Sequence, residues 1–215
     1  MKRILTLAAL ALLLSCGAAF AQSAASCHNK GNECASKRNY TEAVSWWRKA
    51  AEQGLKESQF NLGLCYSQGT GVAKNDAEAV RWYRKAADQG YTNAQYNLGV
   101  CYRDGKGVTQ NYAEAAKWIR KAADKGLAEA QVSMGSLYEK GRGVAQNNNE
   151  AYRWYRKAAD QENAAGLRNL GRCYYLGIGV TSNLDTSIDY LKKAEAKGDR
   201  EATNLLSKIY AASSF

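Results

Sequence analysis

Residues 94–126, AQYNLGVCYRDGKGVTQNYAEAAKWIRKAADKG, carry the pattern that decides the fold of this 215-residue chain. The pattern returns every 36 residues, with an aromatic side chain at one of its positions: Trp46, Trp82, Trp118, Trp154 and Tyr190. A tyrosine recurs with the same step from Tyr66 to Tyr210, and a Gly-x-Gly-Val turn recurs at 69–72, 105–108, 141–144 and 177–180. A fixed period of this length is the signature of a repeat architecture, in which each unit is one supersecondary element.

Each unit predicts two short helices separated by glycine turns. Asn75 and Glu78 form a capping box, the side-chain arrangement that opens a helix. The same pair recurs as Asn39/Glu42, Asn111/Glu114 and Asn147/Glu150. Apolar residues around Trp82 follow at helical spacing, and Gly90 marks the end of this helix because glycine tolerates the left-handed conformation just past a helix C-terminus. We predict the next helix over about residues 93–103, ending at the following glycine turn.

Isolated helices shorter than about 12–15 residues are barely stable in water, so these units must stack on one another. We therefore predict an all-α fold, a right-handed α-solenoid of stacked helical hairpins. Residues 22–54 lack the Gly-x-Gly turn and residues 199–215 supply one last helix, so both are predicted to be capping segments. The four complete hairpins are expected at 55–90, 91–126, 127–162 and 163–198.

The repeated pattern closely resembles that of the Sel1-like repeat family, whose units are tetratricopeptide-like hairpins. The matching residues of one unit are Ala94, Leu98, Gly99, Tyr102, Gly105, Gly107, Val108, Ala115, Trp118, Lys121, Ala122, Ala123 and Gly126. The resemblance covers residues 55–198 in full and the flanking segments in part. It implies an adaptor that binds other proteins, and it does not name the partner.

The first 21 residues have the pattern of an export signal. Lys2 and Arg3 precede 11 almost wholly apolar residues at 4–14, and Ala19-Phe20-Ala21 supplies a small-x-small cleavage site. A membrane span needs about 20 apolar residues, so this run of 11 is too short to be one and we predict no span. Because the segment is an export signal, we predict that the mature chain is periplasmic or secreted. A lipoprotein signal that ends at Cys16 and lipidates it is the alternative.

The net charge and the histidine content restrict the partners and the reactions that we expect of this protein. The net charge of +10 falls by 2 to +8 when the two basic residues of the signal are removed. Because the basic residues are spread along the chain rather than clustered, we do not expect nucleic acid as a partner. His28 is the single histidine, which argues against a histidine-based metal site or catalytic triad. We predict no catalytic residue, no metal and no cofactor, and a protein that is not an enzyme.

Five cysteines follow the signal: Cys27, Cys34, Cys65, Cys101 and Cys173. The last three share one repeat position, and stacked helices lie about 8–10 Å apart, beyond the Cα separation of about 7 Å that a disulfide spans. We therefore predict that they pack as free thiols. A bridge between Cys34 and Cys65 stays open, and the odd number leaves at least one thiol free or paired between chains.

A secreted, cysteine-rich branch of the Sel1-like family implies a second possible function. Its hairpins carry a cysteine clamp, and some members are described as β-lactam-binding or weakly β-lactamase-like. The clamp position is alanine in this chain, at Ala51, Ala87, Ala123 and Ala159. A weak β-lactam-binding hydrolase therefore remains only an alternative to a non-enzymatic adaptor.

The predicted binding residues lie on the first helix of each unit, which lines the concave groove in tetratricopeptide-like proteins. We expect the groove to include Phe60, Leu64, Tyr96, Val100, Arg103, Arg168, Arg172 and Tyr175. These positions vary between units while the core does not, which indicates a fitted surface, although drift at solvated positions would look similar. We predict a monomer that binds a protein or peptide with an apolar segment and an acidic end. Arg168 and Arg172 are expected to present forked donors to that acidic end, and their joint replacement by alanine is expected to leave folding intact because neither belongs to the core pattern.

Overall fold

The computed structural model describes residues 22–212, and all regular structure in that range is helical. Its 11 helices have 13 residues each. In chain order they are α1 Ala24–Ser36, α2 Tyr40–Glu52, α3 Lys56–Gln68, α4 Asp76–Asp88, α5 Thr92–Asp104, α6 Tyr112–Asp124, α7 Ala128–Lys140, α8 Asn148–Asp160, α9 Ala164–Leu176, α10 Leu184–Ala196 and α11 Arg200–Ala212. The prediction of an all-α fold is confirmed. The proposed export signal and Cys16 lie outside the described residues.

The chain divides into two compact units, Met1–Ala86 and Ala87–Phe215. In the first unit, α1 packs on α2 and α2 packs on α3. In the second unit, every helix from α5 to α11 packs on the next one along the chain. Each unit is therefore a stack of consecutive helical hairpins, as the repeat predicts. Within residues 22–212, no helix combines the length and apolarity needed to cross a membrane.

Asparagine caps open the second helix of each hairpin. The side-chain oxygen of Asn111 accepts a hydrogen bond from the backbone N–H of Glu114 at 3.0 Å, and Asn147 caps Glu150 in the same way at 3.1 Å. Asn183 does the same at 2.9 Å, although Thr186 replaces the glutamate there. These bonds satisfy N–H groups that have no partner inside the helix, which confirms the predicted helix starts.

In the second unit, the second glycine of a Gly-x-Gly turn joins neighbouring hairpins. Gly143 has a φ of +71°, and a Cβ atom there would overlap the backbone carbonyl of Tyr112, the first residue of α6. Gly179 meets the carbonyl of Asn148 at the start of α8 in the same way. Only glycine allows this approach, because it has no Cβ and tolerates a positive φ. The turn of one hairpin thus packs against the second helix of the hairpin before it.

A glycine on the first helix and a large side chain on the second form the core of each hairpin. A Cβ atom added to Gly135 would lie 2.5 Å from the Tyr155 ring, and one added to Gly99 would lie 2.5 Å from Ile119 Cγ1. Trp118 is 5% exposed and belongs to the core. In the shorter first hairpin, Trp46 is only half-buried, and its neighbour Trp47 packs on Gly31 instead.

Candidate functional site

The second unit contains a cavity of about 490 Å³ on the first helices of successive hairpins. Its lining residues are Arg103, Val132, Ser133, Ser136, Leu137, Glu139, Lys140, Arg142, Tyr155, Arg168, Asn169 and Arg172. Five of these side chains are cationic and one is a carboxylate, so the lining is positively charged at neutral pH. We call this cavity the basic pocket. It brings together three predicted binding residues, Arg103, Arg168 and Arg172.

Arg172 is paired with a carboxylate of the preceding hairpin. Its Nη1 atom donates to Glu139 Oε1 at 2.9 Å, and its Nη2 atom donates to Glu139 Oε2. The Tyr155 hydroxyl donates to the same Oε2 atom at 2.9 Å. Burial alone would raise the pKa of the Glu139 carboxyl, but the bonds from Arg172 and Tyr155 outweigh it and the pKa is lowered. Glu139 is therefore an anion held by two neighbouring helices.

Arg168 is also paired within the second unit. Its Nη1 atom lies 3.0 Å from Asp199 Oδ2 and 2.9 Å from Glu201 Oε2. Asp199 is 8% exposed and also accepts the backbone N–H of Ala202, so it caps α11. Both arginines therefore form ion pairs within the protein, which the prediction that neither is needed for folding did not include. Their carboxylate partners lie about 30 residues away in sequence, on adjacent repeats.

Three other cations of the basic pocket are more open. Arg103 is bonded to its neighbour Asp104, with Nε 2.8 Å from Oδ1, and both side chains are about one-third exposed. Arg142 stacks on Tyr112, with its guanidinium carbon 5.3 Å from the ring centre. Lys140 is exposed, and within residues 22–212 neither Lys140 nor Arg142 forms an ion pair.

The remaining predicted binding residues do not line the basic pocket. Tyr96 and Val100 are half-buried on α5, and the Tyr96 hydroxyl lies 3.4 Å from Ser133 Oγ of the lining. Tyr175, in the last turn of α9, is 37% exposed. Phe60 and Leu64 belong to the first unit, where both are half-buried and Phe60 packs 6.0 Å from the Tyr83 ring.

Sequence reasoning missed the positions of Lys140 and Arg142 in the pocket lining, and the ion pairs that Glu139 and Asp199 form with Arg172 and Arg168. Lys140 lies in the last turn of α7 and Arg142 in the following turn, whereas the prediction considered only three positions of each first helix. Opposite charges at Glu139 and Arg172, 33 residues apart, were the available signal for the ion pair.

The five described cysteines are free thiols, and Cys34 is not bridged to Cys65. Cys65 and Cys173 are buried, and burial raises the pKa of Cys65 to about 11 and that of Cys173 to about 12. Cys101 is only half-buried. The predicted packing role is thus confirmed most clearly for Cys65 and Cys173.

Two solved structures share the fold of this chain at 35% sequence identity. A Sel1 repeat protein from Oxalobacter formigenes superposes with a TM-score of 0.83, covering 87% of this chain and 76% of that one. The protein c5321, a protective antigen present in uropathogenic Escherichia coli strains, superposes with a TM-score of 0.81. That match covers 86% of this chain, which spans 41% of the length of c5321. A comparison with curated protein sequences gave no match.

The family model for the Sel1 repeat matches five consecutive segments: 21–55, 56–91, 92–127, 128–163 and 164–199. The first of these segments includes the hairpin that lacks the Gly-x-Gly turn. The matched segments together account for most of the sequence. On this evidence and that of the two solved structures, the chain belongs to the Sel1 repeat family.

Proposed function

We propose that this chain is a monomeric, non-enzymatic adaptor that binds an acidic segment of a partner protein in the basic pocket. Proteins built from Sel1 repeats generally mediate protein–protein interactions, and the family is generally non-catalytic. The observation that carries the proposal is the lining of the pocket, where five cations surround a single carboxylate. Acidic side chains suit such a site because charge-assisted hydrogen bonds to arginine and lysine are the stronger kind.

Lys140 and Arg142 are the residues that first contact the acidic segment in this proposal. Neither forms an ion pair in the described part of the chain, so no internal carboxylate has to leave. Arg103 follows, because its partner Asp104 is accessible to water and their exposed pair is worth only about 0–1 kcal/mol. Tyr96 and Val100 on α5 offer apolar surface beside this site for the rest of the segment.

We further propose that the protein is exported, with Gln22 as the first residue of the mature chain. The support is the pattern of residues 1–21, with its basic start, apolar run and small-x-small site. Intact-mass measurement on protein expressed with its native leader tests the proposal. A mass that matches a lipid-modified chain beginning at Cys16 would favour the lipoprotein alternative. A mass that matches the uncleaved chain would contradict export.

Fluorescence polarisation with fluorescein-labelled hexaglutamate tests the proposed binding, with hexaglutamine as the neutral control peptide. We expect binding of hexaglutamate alone, weakening as ionic strength rises because salt screens the charge contacts. Replacing both Lys140 and Arg142 by serine should weaken binding about tenfold, the effect of losing about 1.4 kcal/mol.

The matched control replaces Lys106 and Lys117 by serine. Lys106 occupies the same turn position as Arg142 one repeat earlier, and neither control residue lines the basic pocket. The control removes the same net charge, so it should bind hexaglutamate like the wild type. Equal weakening in both double variants would reject the pocket as the site and leave only a general charge effect.

A further inference from the structure

Two hydrogen-bond donors of the basic pocket converge on one carboxylate. The Arg172 guanidinium approaches Glu139 through two nitrogen atoms, at 2.9 Å and 2.5 Å, and the Tyr155 hydroxyl approaches it at 2.9 Å. A forked guanidinium is the arrangement that binds carboxylates in two places at once. These two side chains therefore constitute a carboxylate-binding site that the chain's own Glu139 occupies.

Packing positions the Tyr155 donor, and the fold brings Arg172 beside it. Tyr155 is 1% exposed, and its ring is held against Gly135 between α7 and α8. Arg172 lies between two buried residues of α9, Gly171 and Cys173, and its side chain is 30% exposed. Packing therefore holds the Tyr155 donor, and the backbone of α9 places Arg172 beside it in the pocket lining whether or not the Glu139 carboxylate is present.

The repeat does not require a carboxylate at this position. The residues equivalent to Glu139 are Ala35, Ser67, Arg103, Tyr175 and Ala211. In the first unit, the Tyr83 hydroxyl lies 3.1 Å from Ser67 Oγ, so the corresponding tyrosine is satisfied there by a neutral hydroxyl. The hairpins thus form without an acidic residue, and Glu139 is a local addition to the basic pocket.

We infer that Arg172 and Tyr155 bind a carboxylate of the partner in exchange for Glu139, which makes Glu139 the residue that sets the affinity of the pocket for acidic ligands. Replacement of one carboxylate by another preserves the hydrogen bonds of both donors, so neither is left buried without a partner. The displaced Glu139 lies in the last turn of α7, where its carboxylate can be hydrated. The ligand class rests on the proposed function, whereas the carboxylate site can be tested without any peptide.

Sodium formate is the smallest probe for this carboxylate site. In the Glu139→Ala variant, we expect about 0.1 M formate to raise the Tm by about 2–4 °C more than sodium chloride of the same ionic strength. The wild type should show no such difference, because Glu139 occupies the site. Glu129→Ala is the matched control, since it removes an exposed glutamate from the same helix outside the pocket.

Hexaglutamate provides the second measurement. We expect Glu139→Ala to bind it about tenfold more tightly than the Glu129→Ala control, and Arg172→Ala in the same background to abolish the gain. Glu139→Ser serves if the alanine variant does not fold, because it leaves the site open and Ser67 stands at the same position of the first unit. A formate response equal to that of the wild type, in whichever variant folds, would overturn the inference.

The two proposals fail in different ways. If the wild type binds hexaglutamate through Lys140 and Arg142 but the Glu139 variant gains neither formate stabilisation nor peptide affinity, the inference is wrong and the proposed function stands. If formate stabilises the variant while no protein binds hexaglutamate, the carboxylate site is supported and the proposed peptide function is wrong.

Discussion

Charged side chains at the basic pocket form ion pairs with partners on neighbouring repeats. Glu139 is 18% exposed, yet it remains an anion because Arg172 and Tyr155 donate to it. Arg168 is held in the same way by Asp199, which also caps α11. These arginines therefore have a structural role in addition to any contact with a partner, and their replacement should affect stability.

The Glu139 carboxyl makes the stability of the second unit depend on pH. Its pKa is lowered by folding, so its contribution is fully present above its ordinary pKa, near 4.5, and is lost as the pH falls through the lower folded value. At pH 7 we expect Glu139→Gln to lower the free energy of unfolding by about 1–3 kcal/mol, because Arg172 loses its charged partner.

Urea denaturation at a series of pH values between about 7 and 3 measures this dependence, around the ordinary glutamate pKa. The stability difference between wild type and Glu139→Gln should shrink as the pH drops below about 4.5, where the carboxyl of the unfolded wild type binds a proton, and it should be lost as the pH falls through the lower folded pKa. Glu129→Gln, an exposed substitution on the same helix, serves as the control. A difference that stays constant down to the lowest pH would contradict the assignment of Glu139 as a buried anion.

At the scale of the helices, glycine turns determine how hairpins join. Both glycines of the turn at 141–143 have a positive φ, but their surroundings differ. A Cβ at Gly141 would lie 3.2 Å from the Gln146 Cβ, a tight contact, whereas a Cβ at Gly143 would overlap the backbone carbonyl of Tyr112. The contact at Gly141 is relieved by a shift of a few tenths of an ångström, but the overlap at Gly143 is deeper and involves the start of α6, which the Asn111 cap fixes.

Alanine substitutions at these two glycines separate backbone strain from steric overlap. We expect Gly141→Ala to cost about 1–2 kcal/mol, the penalty for placing an L-residue in the left-handed region. Gly143→Ala should cost at least 1 kcal/mol more, because the turn must also withdraw from α6. Urea midpoints of the two variants give the comparison, and equal losses would mean that the turn does not pack against the preceding hairpin.

At the scale of the whole molecule, the stability of a repeat protein is approximately the sum of its hairpins and of the interfaces between neighbouring hairpins. Trp118 lies in α6, where Glu114 Oε2 accepts its indole N–H at 3.2 Å and Lys121 Nζ sits 4.0 Å from its ring centre. Repeat proteins of this kind lose stability in several units when one core position is emptied, because adjacent interfaces support one another.

Replacing Trp118 by alanine should lower the free energy of unfolding by about 3–5 kcal/mol, the usual cost of truncating a buried aromatic residue. Circular dichroism at 222 nm during urea denaturation measures the effect and should show a helical spectrum without strand content before unfolding. Lys121→Ala is a suitable control, since it removes only the exposed cation above the ring, worth about 0.5–1 kcal/mol. An unchanged midpoint in Trp118→Ala would show that the ring does not support the core.

The sequence by itself determined the all-α repeat, the asparagine caps, the glycine turns and most of the aromatic core. These features arise from contacts within one hairpin, so their periodicity appears directly in the order of residues. It also indicated Arg103, Arg168 and Arg172 as members of one surface, because equivalent positions of stacked units face the same way. The two ends of the aromatic series depart from the pattern: the shortened first hairpin buries Trp47 instead of Trp46, Tyr190 is only half-buried, and Tyr210 is 46% exposed.

Only the tertiary structure decided which pocket charges are already paired. Arg172 meets Glu139 and Arg168 meets Asp199 because stacking brings together residues that are 33 and 31 positions apart. No local pattern encodes such contacts, since they depend on how far one helix is rotated and shifted against the next. The same packing places Lys140 and Arg142 at the pocket, where their charges have no internal partner in the part of the chain described.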